Sequence, residues 1–291
     1  MSTFLSGLRE VTTRLRRIPG AVLVLEPLRR WQCRYPRTLV VPDFDGNLFE
    51  VRLNEHMGSH IFWFGSYSRE ILLALGRLLR PGMVVIDVGA NMGEVALFAT
   101  KRVAPGGRVI CFEPVPALAA SLEQSIRRNE ASGIEVVNCG LADRIGSAVL
   151  FNTSERFHDG TDHAGLATIY PQEGRSTVAG RVSLTTLDEF LRPRAPGRVD
   201  VIKIDAEGAE LPILRGAVET LRTWHPHLIL EVQRATSKAA GYDQREILQF
   251  LEGMEYGFWR IGRRGKLSAL SVEALGDFQN VLCVPGGSTS L

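Results

Sequence analysis

The sequence predicts an α/β fold: a mainly parallel sheet covered by helices on both faces, with a ligand site outside the carboxyl ends of its strands. Three observations carry that prediction. Met83 to Phe98 reads as a strand, a glycine turn and a helix; apolar strands and helical patterns alternate from Val84 to Glu231; and four strands end on an acid, Asp87, Glu113, Asp205 and Glu231.

In Val84-Val85-Ile86-Asp87-Val88-Gly89-Ala90-Asn91-Met92-Gly93 a strand-length apolar run breaks at an acid and passes through two glycines into helix-forming residues. Gly89 and Gly93 let the main chain bend and bring its N–H groups and a helix N-terminus close to a bound molecule. Arg108 to Phe112 reads as the next buried strand, and Glu113 at its end stands 20 residues after Gly93. That is the spacing at which an acid binds ribose hydroxyls, so an adenosine-type ligand is expected. A nicotinamide cofactor asks for G-x-G-x-x-G, whereas Asn91 holds the middle position and Gly93 comes one residue early. A cationic ligand fits better: S-adenosylmethionine carries a sulfonium and an amine, and Asp87 suits either.

With 291 residues, 45% apolar and 23% charged, the chain has the composition of a globular protein with a large core. A net charge of +2 argues against nucleic acid as a partner, although residues 1–40 hold eight arginines against Glu10 and Glu26. Cys33, Cys111, Cys139 and Cys283 are scattered, with no CxxC or Cys/His cluster, so free thiols in a reducing, cytoplasmic setting are expected. No apolar run reaches the roughly 20 residues of a membrane span, and Ala21 to Leu25 is too short for a signal-peptide core.

In chain order, Phe4, Leu8, Val11, Leu15 and Ile18 form an apolar stripe accompanied by Arg9, Arg14, Arg16 and Arg17. Such a helix packs on the domain or on a second subunit, giving a homodimer through residues 1–60, or lies on an anionic membrane surface. Residues 21–37 receive no assignment. Leu39-Val40-Val41 and Leu48 to Leu53 read as a hairpin that packs beside the main sheet or across a subunit boundary. Residues 1–62 are therefore taken as an extension and 63–291 as the main domain. Ile71, Leu72, Leu75, Leu78 and Leu79 mark a helix ended by Pro81-Gly82, and Leu118, Leu122 and Ile126 mark another. Strands follow at Ile134 to Asn138, Ala148 to Phe151 and Val178 to Leu184, with Thr186 capping a short helix. Between them, the polar segment 152–165 carries His158, Asp159, Asp162 and His163 and is the natural place for an active-site lid. Val199 to Asp205 and Leu228 to Val232 are buried strands, and Leu211, Leu214 and Leu221 face inward on the helix between them. A helix around Ile247, Phe250, Leu251 and Met254 and strands at Tyr256 to Ile261 and Phe278 to Val284 close the chain.

Four stretches together resemble the FkbM family of S-adenosylmethionine-dependent methyltransferases: Val85 to Gly93, Phe112-Glu113-Pro114, Thr186-Leu187-Asp188 and Lys203-Ile204-Asp205-Ala206-Glu207-Gly208-Ala209-Glu210. The resemblance covers roughly residues 67–285. It implies a class I methyltransferase fold, a Rossmann-like three-layer sandwich on a seven-stranded sheet whose last strand is antiparallel, and O-methylation of a sugar, glycan, glycolipid or secondary-metabolite hydroxyl. It implies further that Asp87, Gly89, Asn91 and Gly93 form the first cofactor motif, that Glu113 holds the ribose and that Asp205 lies beside the methionine end. Asn138, Leu141 and Asp143 would border the adenine. Met92 departs from the family, where a β-branched residue is commoner.

Methyl transfer to a hydroxyl needs alignment, exclusion of water and removal of a proton. Two routes suit the residues present. His163, or else His158, reaches in as general base, oriented by Asp162; alternatively Asp205 and Glu231 hold magnesium. Lys203, two residues before Asp205, is expected to form a salt bridge under the site. His225 and His227 read as turn residues, and Trp63 and Trp259 as core residues that could otherwise stack on a sugar. The rivals are an NAD-dependent oxidoreductase on the same sheet and a non-catalytic binding protein.

Overall fold

The computed structural model describes residues 21–152, 161–162, 167–171 and 177–286. The predicted helix at 4–18 and His158, Asp159 and His163 lie outside the described residues.

Helix α1 (Ala21–Gln32) fills the unassigned stretch. Strands β1 (Thr38–Pro42) and β2 (Leu48–Arg52) form the expected hairpin as an antiparallel sheet of their own. Its turn closes on Asp43, whose Oδ1 accepts the N–H of Asp45 and of Asn47, each at 2.8 Å. Helix α2 (His56–Phe64) follows and runs through the expected boundary at 62/63. Val41, Phe49 and Val51 of the hairpin, Leu25 of α1 and Phe62 and Trp63 of α2 share one buried cluster with Met92 and Leu97. Amino-terminal extension and main domain thus have a common core, and the hairpin packs over helices rather than beside the sheet.

The first half of the main sheet is built by α3 (Arg69–Leu78), β3 (Val84–Val88), α4 (Glu94–Val103), β4 (Arg108–Phe112), α5 (Pro116–Arg128) and β5 (Ile134–Val137). Then β6 (Gly140–Leu141), β7 (Gly146–Asn152) and β8 (Thr177–Thr185) form a separate three-stranded sheet in the order β6-β8-β7. Periodicity marked β7 and β8 as strands but not that they leave the main sheet. The second half comprises α6 (Leu187–Leu191), β9 (Val201–Ile204), α7 (Glu210–Arg215), α8 (Val218–Trp224), β10 (His227–Gln233), α9 (Arg234–Ala239), α10 (Arg245–Glu252), β11 (Tyr256–Ile261), β12 (Leu267–Ala269) and β13 (Phe278–Pro285).

The main sheet has the order β12-β11-β13-β10-β9-β3-β4-β5. Strands β10, β9, β3, β4 and β5 are mutually parallel, while β13 runs antiparallel to both β10 and β11. Seven strands match the expectation; the eighth, β12, is a three-residue edge strand. β3 is entirely buried, with Ile86 in the cluster on one face and Val85 in the cluster on the other, as a central parallel strand requires. Chain direction across the sheet reverses beside β3, which has β4 on one side and β9 on the other, so the crevice for a ligand opens at its carboxyl end.

The Thr186-Leu187-Asp188 stretch works locally. Thr186 Oγ1 accepts the N–H of Glu189 at 3.0 Å, capping α6. Asp188 accepts the N–H groups of Glu219 at 2.9 Å and Thr220 at 2.8 Å, so it caps α8 from a distance in sequence. All four cysteines are free; Cys33, Cys111 and Cys283 are buried and Cys139 is half-buried. No helix among the described residues is long and apolar enough to cross a membrane.

Candidate active site

The turn after β3 is shaped by backbone geometry. Gly89 has φ +73°, and a Cβ there would collide with the main-chain oxygen of Asp205. Gly93, at φ +96°, caps α4, and a Cβ there would strike Leu122. Between them Asn91 takes φ +50°, a conformation asparagine tolerates, and its Oδ1 accepts the N–H of Met92 at 2.8 Å. The Asn91 N–H donates to Glu113 Oε2 at 2.8 Å, and Val115 N–H donates to Glu113 Oε1 at 2.9 Å. Burial pushes the Glu113 carboxyl up to about 7, and the two amides oppose that rise.

Register places Asp87 on β3 opposite Lys203 on β9. The ammonium of Lys203 lies 3.6 Å from Asp87 Oδ1 and 3.4 Å from Asp205 Oδ2, and donates to the Gly89 carbonyl at 3.1 Å. Burial pulls the Lys203 pKa down, but Asp205, Asp87 and Glu231 outweigh it and hold the group above its ordinary value. Asp87 is completely buried, and neither carboxylate oxygen has a hydrogen-bond partner. Burial raises its pKa against the pull of Lys203. Beyond the Lys203 ammonium, Glu231 is held well above the carboxylate range, first by burial, then by Asp205 and Glu207.

The rest of the 203–210 stretch builds the loop. Glu210 is buried and accepts the N–H groups of Ala206 at 2.9 Å and Gly208 at 3.1 Å; burial pushes it up to about 7. Gly208, at φ +103°, lies where a Cβ would sit 2.7 Å from the Thr236 carbonyl oxygen.

These elements bound a cleft of about 820 Å³. The domain profile described as the methyltransferase FkbM domain matches residues 87–258, a span that holds both the glycine turn and the acids at the strand ends. The chain belongs to the FkbM methyltransferase family. Methyltransferase sdnD of Sordaria araneosa is 28% identical over 197 residues, 55% of this chain and 73% of that protein. The 31-O-demethyl-FK506 methyltransferase FkbM of Streptomyces tacrolimicus is 30% identical over 171 residues, 52% of this chain and 65% of that protein. The 2-O-methyltransferase NoeI of Sinorhizobium fredii is 28% identical over 153 residues, 50% of this chain and 61% of that protein. The chain thus spans less than two thirds of the last two. A crystal structure of methyltransferase FkbM from Methylobacillus flagellatus aligns at 17% identity and a TM-score of 0.43, over 72% of this chain and 48% of that one.

An FkbM domain is a class I methyltransferase that uses S-adenosylmethionine, and the residues present fit that cofactor. A buried carboxylate without hydrogen bonds and an excess of acid over base in the lining suit a ligand bearing positive charge, while the two glycines let the turn pack closely on Asp205 and Leu122. Gly89, Asn91, Glu113, Leu141 and Asp205 line the cleft; Asp87 and Gly93 support it from below. Asn138 and Asp143 stand apart from the lining. Asn138 is exposed and donates to the Glu113 carbonyl at 2.8 Å, bracing the chain after β4. Asp143 is exposed and pairs with Arg144 at 3.2 Å. Trp63 is buried in the core, and Trp259 packs against a core cluster, so both have work away from any sugar. His225 takes the left-handed cap of α8, as a turn residue does.

Two residues of the FkbM cleft were not legible beforehand: His56 and Tyr67. Tyr67 hangs on α4, its N–H and that of Ser68 donating to Glu94 at 2.9 and 2.8 Å. Burial, then Asp205, Glu231, Glu207 and Glu94, keep its phenol protonated far above the ordinary range. His56 Nδ1 lies 3.0 Å from Thr161 Oγ1. Asp162 lines the cleft as well and joins the same turn, accepting from Asn54 Nδ2 at 2.6 Å. Nothing local in the sequence marks these partners, which lie about a hundred positions apart. Among the described residues, no group of three or more His, Cys, Asp or Glu gathers as a metal site.

Proposed function

We propose that this FkbM-family chain is an S-adenosylmethionine-dependent O-methyltransferase acting on a hydroxyl of a small molecule or glycan, such as a sugar, glycolipid or secondary metabolite. The observation that carries the reading is the cluster of acids at the β9 and β10 ends, where Asp205 and Glu231 line the cleft beside Lys203 at the edge of a glycine turn. Bound there, the cofactor supplies a methyl group activated as a sulfonium. Asp205 faces its positive end, a cation there favours ionisation of Glu231, Glu113 orients the ribose and Leu141 offers an apolar surface to the base. An O-directed reaction is supported by the names of two relatives, a 31-O-demethyl-FK506 methyltransferase and a 2-O-methyltransferase.

A dinucleotide would bring a pyrophosphate against the same acids, which disfavours an oxidoreductase. Magnesium between Asp205 and Glu231 finds no support, since among the described residues no group of three or more His, Cys, Asp or Glu gathers there. Calorimetric titration with S-adenosylhomocysteine and with NAD tests the reading. We expect the homocysteine product to bind and Asp205→Asn to weaken it about 10- to 100-fold, the effect of one lost charge-assisted contact. NAD binding without binding of the homocysteine product overturns it.

A further inference from the structure

We propose that His56, carried by the amino-terminal extension, is the general base that takes the acceptor's hydroxyl proton. The inference rests on the O-methyltransferase reading above. A hydroxyl oxygen that attacks a methyl carbon must lose its proton during or after attack, and a histidine is the side chain whose chemistry suits that near neutral pH. Among the described residues His56 is the histidine that lines the cleft. His225 and His227 flank the turn before β10. His60, one helical turn along α2, uses its Nδ1–H to donate to the main-chain carbonyl of His56 at 2.8 Å.

The His56 imidazole is held in place from several sides. Its Nδ1 is 3.0 Å from the hydroxyl of Thr161, which is fully buried, and its main-chain N–H donates to the Asp162 carbonyl at 3.2 Å. The His60 ring lies 4.3 Å away and the Tyr67 ring meets it edge-on at 5.7 Å. A base needs this kind of support, since its protonation site is set by the partner of its other nitrogen. Tyr67 stands edge-on to the His56 ring, and burial together with Asp205 and Glu231 holds its phenol protonated. Among the described residues, the titratable groups near the ring include Glu55, His60, Tyr67 and Asp162, and Asp205 and Glu231 line the same cleft. In the step itself, a lone pair of the hydroxyl oxygen forms the O–C bond to the methyl carbon. The C–S bond breaks with its electrons on sulfur, and the hydroxyl proton passes to His56 and then to water.

The test uses the whole chain, with His56→Asn and His56→Gln as variants. S-adenosylmethionine labelled in its methyl group is the donor, and methyl glycosides and hydroxylated macrolactones are the acceptor probes. Calorimetry with S-adenosylhomocysteine reports folding and cofactor binding independently of turnover. We expect kcat to fall about 100-fold or more in both variants, with KM and affinity for the homocysteine product changed by less than about threefold. The rise of kcat with pH through a single ionisation should vanish with it. In NMR spectra of the wild type, the imidazole signal missing from His56→Asn should shift when S-adenosylhomocysteine is added. Wild-type kcat in the variants, or an imidazole signal indifferent to the ligand, overturns the role of His56. If the wild type binds the homocysteine product yet labels none of the hydroxyl probes, the O-methyltransferase reading falls first and this inference with it.

Discussion

Glu113 and Glu231 each follow or close a buried strand of one sheet, on opposite sides of the switch point, yet their surroundings differ in kind. Glu113 is locked by the main-chain amides of Asn91 and Val115, so its carboxyl is part of the turn's architecture. Glu231 has Asp205 and Glu207 as neighbours and shares a single ammonium, Lys203, with Asp205 and Asp87. One half of the cleft is therefore pre-shaped, while in the other the acids oppose one another's ionisation and Glu231 is held in its protonated form. The difference teaches where a cationic ligand gains most: at the second half, where its charge relieves repulsion already present in the protein.

The comparison breaks most severely if its shared cation is removed. Lys203→Met leaves Asp87 buried with no counter-charge, and such a change costs about 3–5 kcal/mol. Urea unfolding is expected to show that loss, and a shift below about 1 kcal/mol would mean that the acids do not depend on Lys203. A second measurement sharpens the first half. Glu113 in the fold titrates near 7, above its ordinary 4.5. A raised carboxyl binds its proton more tightly folded than unfolded, so its stabilising contribution is complete below about 4.5 and is lost as pH rises to about 7. Glu113→Gln should flatten the fall of stability with pH in that window, by up to about 1.4 kcal/mol per pH unit. An unchanged slope would place the titration on Glu210, which is pushed up to the same range. The smallest effect is expected away from both halves. Asp188→Ala removes the cap of α8 and should cost about 1–2 kcal/mol in thermal unfolding while leaving S-adenosylhomocysteine affinity unchanged. A loss of affinity there would tie the cap to the cleft.

The main sheet was legible because its signals are local. Val84 to Val88 and Val201 to Ile204 are buried throughout and apolar except at Asp87 and Lys203, as strands covered on both faces must be, and glycine at 89 and 93 marks a turn where a side chain would collide. The acids at the strand ends were equally plain. Less visible was the division of labour in the 203–210 stretch, where Asp205 faces the cleft and Glu210 holds loop amides; both are acids after a strand, and only their neighbours distinguish them. Asn138, which the family resemblance puts at the adenine, uses its side-chain amide to brace the Glu113 carbonyl, a bond that no local pattern announces.

By itself the sequence determined the order of elements, the turn that cradles a ligand and the sign of the charge around it, since burial periodicity, glycine and carboxylates act within a few residues of where they stand. Only the tertiary structure decided that β6, β7 and β8 leave the sheet, that Lys203 sits between acids from two strands, and that His56 and Tyr67 complete the cleft. Those outcomes depend on which distant surfaces bury one another, as in the bond from Asn54 to Asp162, and a pattern of apolar and polar positions records that a surface is buried without recording its partner.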